Sequence, residues 1–164
     1  MVEPWLRGTL TEVDAVRRAV LHALQLTRED IDKWCSELSD AELNARPHDL
    51  PSVAFHLRHI ARSLDRLITY AEGNQLVPEQ IAAMKAELEP GAVKAELFTE
   101  LNAALNRSVE RVLAIRELLE TVRGVGRQQL PTSVGGLLIH VADHTQRHVG
   151  QAITTAKIVT AMRG

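Results

Sequence analysis

GLLIHVADHTQRHVGQ, residues 136–151, sets three histidines at four-residue steps within a run whose apolar residues keep helical spacing. Val134, Leu138, Val141, Ala152, Ala156 and Val159 fall on one side of such a helix, which is predicted to start at a Thr132 or Ser133 cap and to reach about Met162. The same period occurs three times upstream. Val13, Val16, Ala19, Val20, Ala23, Leu24 and Ile31 predict a helix from Thr9 to about Cys35. Val53, Leu57, Ile60, Leu64, Leu67 and Ala71 predict a second, with Pro51 at its first position and Gly73 as a stop after Glu72. Leu97, Leu101, Ala104, Leu105, Val109, Val112, Ile115 and Leu119 predict a third over about Ala92 to Val122, ended by Gly124 and Gly126.

Shorter elements fill the gaps. A helical turn is expected at Asp40 to Asn44 behind a Ser39 or Asp40 cap, and a connector helix after Pro78 runs through Ile81, Met84 and Leu88 to the break at Pro90-Gly91. No stretch alternates like a strand, and there is no internal repeat or low-complexity segment. The expected fold is all-α, a four-helix bundle with long interhelical connections forming one domain over residues 1–164. Hydrophobic residues make up 45% of the chain and aromatics only 3%, so its core must be built of Leu, Val, Ile and Ala.

Composition narrows the function. Nineteen Lys and Arg against 21 Asp and Glu leave a net charge of -2, which gives no electrostatic grip on a nucleic acid. The lone cysteine, Cys35, has no partner for a disulfide or a cysteine-rich metal site, as expected of a cytoplasmic protein. The first residues, MVEPWLRGTLTEVDAVRR, carry charges too often for a signal peptide. No window approaches the roughly 20 apolar residues that cross a bilayer, so a soluble protein with no membrane partner is expected.

The histidines carry the functional signal. Five of seven cluster in two segments: His56 and His59 in FHLRHIARSLDRL, and His140, His144 and His148 in IHVADHTQRHVGQ. Residues four apart stack on one helical face, so His140/His144 or His144/His148 can direct two neutral imidazoles at one zinc, nickel or iron ion. At roughly 100° per residue, His148 lies about 40° from the apolar centre of its helix, His144 about 80° and His140 about 120°. The inward pair is therefore His144/His148, with His140 at the mouth. On the second helix, His56 lies nearer the apolar centre than His59 by about 60°, so periodicity alone selects His56.

The segments HIA at residues 59–61 and GLLIHVADHTQRHVGQ at 136–151 resemble the two signature segments of the DinB/YfiT superfamily, and the resemblance extends over nearly the whole chain. It implies a four-helix bundle with a three-histidine metal site, often assembled as a homodimer. The second-helix ligand in that family precedes an aliphatic residue and alanine, which selects His59. The implied metal ligands are thus His59, His144 and His148 around one divalent transition metal ion, with His56, His140 and Arg147 near the mouth. Many relatives carry an acid four residues after that ligand, where this chain has Ser63. Of the nearby acids Asp65 and Asp143, Asp65 points to the polar side.

The resemblance also implies chemistry. Characterised relatives use low-molecular-weight thiols such as bacillithiol or mycothiol, and others are described as metal-dependent hydrolases. The expected activity is that of a metal-dependent thiol S-transferase or isomerase acting on a small-molecule electrophile. The alternatives are a hydrolase and a non-catalytic metal- or ligand-binding stress-response protein. Arg58, Arg62 and Arg66 read as an exposed helix face, Cys35 as core filler, and Gly135-Gly136 as a site of close helix packing.

Overall fold

The computed structural model describes residues 2–163. Six α-helices follow one another: α1 (Ala15–Cys35), α2 (Asp40–Asn44), α3 (Val53–Ala71), α4 (Pro78–Lys85), α5 (Lys94–Ala114) and α6 (Val134–Ala161). Between α5 and α6 lies a small antiparallel hairpin, β1 (Val122–Val125) paired with β2 (Leu130–Ser133) so that Val122 faces Ser133. The four long helices share one aliphatic core, with α6 packed on α1 and α3, and α5 packed on α3 and α1.

Local chemistry sets the helix ends. The first long helix starts at Ala15 rather than Thr9, because the Asp14 carboxylate accepts from the Val16 and Arg17 amides and caps it there. Val13 still packs on the core from the preceding turn, so the apolar period extends backwards past the start of the helix. Ser39 and Glu42 form a reciprocal capping box on α2. Pro51 stands outside α3, whose cap is Ser52, accepting from the Phe55 amide at 3.1 Å. At the other end Gly73 adopts φ +86, and the Asn74 amide returns to the Thr69 carbonyl, a glycine-dependent stop. Ser133 caps α6.

The third long helix ends at Ala114, not Val122, and a small two-stranded hairpin that the sequence reading did not expect follows it in an otherwise mostly helical fold. Ile115 and Leu119 keep a four-residue step and both pack on the core, so the apolar period survives where the backbone has left the helix. The hairpin lacks alternation because Val122 and Leu130 are exposed. It is held by Arg123, which donates to the Ala71 carbonyl and pairs with Glu117. Gly135 allows Leu119 close: its amide donates to the Leu119 carbonyl at 2.7 Å, and a Cβ there would sit 3.2 Å from the Leu119 Cβ.

The connector is also turned from its expected phase. Ala86–Leu88 winds as a 3-10 turn, so Leu88 is 78% exposed while Glu87 faces inward at 5%. Leu57→Ala, in the fully enclosed centre of α3, is expected to cost about 2–5 kcal/mol in chemical denaturation, whereas Leu88→Ala should change stability by less than about 0.5 kcal/mol.

Candidate metal centre

The seam between α3 and α6 brings the histidines of the two helices together. One ligand atom from each of His59, His144 and His148 can be chosen so that all lie within 4.8 Å of one another, an arrangement able to hold a metal ion. His59 Nε2 lies 3.3 Å from His144 Nε2, and the His59 and His148 ring centroids are 4.2 Å apart. Two nitrogens bound to one tetrahedral ion at about 2.0–2.1 Å would stand about 3.3–3.4 Å apart. The side chains present therefore fit such a group.

His56 is more buried than His59, as its periodicity predicts, yet it stands behind the cluster. Its Nδ1 is 3.1 Å from His148 Nδ1. Periodicity correctly ranks burial on α3, but the innermost imidazole is too deep to meet His144. His140 lies at the outer edge, its ring 5.4 Å from that of His144. Arg147 is exposed and pairs with Asp143 at 2.6 Å. His22 and His48 take no part: His22 contacts Thr9 on the far side of α1, and His48 sits on the exposed loop before α3.

One residue of the site was not anticipated. Glu87 accepts a hydrogen bond from His59 Nδ1 at 2.6 Å and another from Arg66 at 2.6 Å. With a carboxylate on Nδ1, His59 keeps its proton there and presents the Nε2 lone pair to the cluster. Burial alone would raise the Glu87 pKa, but the bonds from His59 and Arg66 outweigh it and hold the carboxyl below its ordinary value. Ser63, four residues after His59, takes no part in the cluster: its hydroxyl is buried and donates to the Ile60 carbonyl. No apolar period could have found it, because the 3-10 turn exchanges the positions of Glu87 and Leu88.

The arginines of α3 hold Glu87 in place. Arg58 donates to the Glu89 carbonyl, Arg62 to the Ala83 carbonyl and Glu100, and Arg66 to Glu87. This row is a clasp on the connector rather than a solvated face. Asp65 pairs with Arg111 across to α5. Cys35 is fully enclosed and its thiol is pushed up to about 12 by burial, so it is no nucleophile.

Helices on one seam with converging histidines define a class of helical metal-binding protein. The DinB superfamily model matches residues 23–152, and the chain belongs to that superfamily. No curated protein matches it.

Burial, and then the charge of neighbouring imidazoles, lowers the pKa of His56, His144 and His148 from 6.5 to about 4. The unfolded chain takes up protons at the ordinary histidine value while the folded chain resists until about 4. Acid therefore favours unfolding. Chelated protein should lose stability steadily as pH falls from about 6.5 towards 4, with no contribution from these groups above that window. Denaturation midpoints measured across pH 4–8 check the slope.

Proposed function

We propose that the chain is a single-domain four-helix bundle of the DinB/YfiT type. In this reading His59, His144 and His148 hold one divalent metal ion, and the protein is a thiol S-transferase or isomerase acting with a low-molecular-weight thiol. The observation that carries it is the convergence of three imidazoles, one of them fixed by Glu87 at Nδ1 with its Nε2 turned to the cluster. A divalent ion held by three protein ligands supplies a Lewis acid with a free position, able to acidify an incoming thiol or water.

The remaining chemistry depends on the chain's own side chains. Hydrolysis generally needs a protein base to manage the proton of water, and the carboxylates nearby are committed elsewhere. Glu87 is bound to His59 and Arg66, and Asp143 faces solvent against Arg147. A thiol bound to a divalent ion held by these histidines would lose its proton at neutral pH with no such base, which favours thiol chemistry. The chain's one thiol, Cys35, is sealed in the core. The thiol must come from outside.

Ligand replacement tests the site. His59→Ala, His144→Ala and His148→Ala should each lose the ion, while His22→Ala and His48→Ala retain it in elemental analysis of untagged protein. Glu87→Gln should bind the ion about 10–100-fold more weakly in a chelator competition. The activity is tested by incubating metal-loaded protein with bacillithiol, mycothiol or glutathione and monochlorobimane. Conjugation should be lost in His148→Ala. Equal rates in the two proteins, or metal-dependent ester hydrolysis with no thiol requirement, would contradict the assignment.

A further inference from the structure

His56 is only 2% exposed, and its single hydrogen-bond contact among the described residues joins Nδ1 to His148 Nδ1. The same imidazole forms part of the wall of an open recess of about 300 Å³, together with Leu50, Pro51, Arg147, Gln151 and Thr154. A recess of this size is at the lower end of what small-molecule sites occupy.

That wall carries both donors and acceptors, and its donors are on His56, Arg147 and Gln151. Two Nδ1 atoms 3.1 Å apart can share only one proton, so one imidazole donates and the other accepts. If His148 binds an ion through Nε2, as the function proposed above requires, its Nδ1 keeps the proton and donates to His56. A neutral His56 that accepts at Nδ1 must carry its own proton on Nε2, the nitrogen left without a partner. Arg147 uses one nitrogen, Nη2, on Asp143, leaving its other guanidinium donors free. The Gln151 side chain makes no hydrogen bond among the described residues. The Thr154 and Thr155 hydroxyls send their protons to the Gly150 and Pro51 carbonyls. Beside the donors of His56, Arg147 and Gln151 stand the apolar Leu50 and Pro51.

We propose that this recess binds the carboxylate of a compact small molecule with an apolar body, held by Arg147 and by the Nε2–H of His56, next to the three-histidine cluster. Arg147 supplies charge at the rim and His56 a directed neutral donor at the base, a pairing that selects an anionic oxygen over a neutral amide. Leu50 and Pro51 cover the apolar body. The carboxylate site rests on the metal reading in one respect: the ion fixes the His148 tautomer and, through it, the proton on His56 Nε2.

The test is calorimetric titration of 3-phenylpropionate and 3-phenylpropanamide into zinc-loaded protein, into chelated protein and into Arg147→Ala, with zinc content measured in each. Arg147 is exposed and remote from the core, so its variant should fold and keep its zinc. The carboxylate should bind the loaded protein at least about tenfold more tightly than the amide, and Arg147→Ala should erase that preference. Chelated protein should bind it more weakly than loaded protein. Equal affinity for acid and amide, or an acid affinity unchanged in Arg147→Ala, overturns the proposal; the second result would mean that the acid sits on the ion. An Arg147-dependent preference for the acid that ignores zinc, or appears in protein unable to take zinc, supports the recess and contradicts the metal reading.

Discussion

Three imidazoles held in contact between two packed helices cannot all be protonated, and this constraint organises the rest of the molecule. The His59, His144 and His148 rings lie tilted against one another at centroid distances of 4.2 to 5.0 Å, where a positive charge on one opposes a charge on its neighbours. Neutral rings leave lone pairs pointing at one another, which is itself unfavourable unless a proton or a cation lies between them. A divalent ion would resolve the conflict. The helices must then hold their positions to within fractions of an ångström, and two sets of polar anchors do so. Gln146 on α6 donates to the Ala23 carbonyl and the Thr27 hydroxyl on α1, and Thr155 reaches the Pro51 carbonyl just before α3.

The connector between α3 and α5 completes the site. Arg58, Arg62 and Arg66, one per turn of α3, grip it at Glu89, Ala83 and Glu87 in turn. Glu87 is the only acidic side chain buried among the described residues, and a buried carboxylate is tolerated where it is bonded as this one is, to Arg66 on one side and His59 on the other. A segment with few buried apolar residues of its own thus delivers the group that orients a candidate ligand. That group comes from a connector rather than from α3, where the Ser63 hydroxyl turns to the Ile60 carbonyl.

Much of this was legible in the sequence, because helical period and histidine spacing are both local. The placing of His140 outside His144 and His148 follows from 100° steps around one helix, and in the structure His140 is exposed while the other two are half-buried. His59 was legible only through family resemblance, since the apolar period favours His56 and the meeting of α3 with α6 is a tertiary fact. The hairpin at 122–133 was invisible because its exposed valine and leucine do not alternate with buried partners, while Ile115 and Leu119 carry the helical period into a loop. Glu87 was hidden by a 3-10 turn that puts the acid inside and Leu88 outside, the reverse of what burial preferences predict.

The central claim is that these three imidazoles share one ion, and X-ray absorption at the zinc edge tests it most directly. Protein carrying one equivalent of zinc should show three imidazole nitrogens at about 2.0–2.1 Å, a further light-atom ligand, and no sulfur. A spectrum with two or fewer imidazoles, or one unchanged by His59→Ala, would contradict the account.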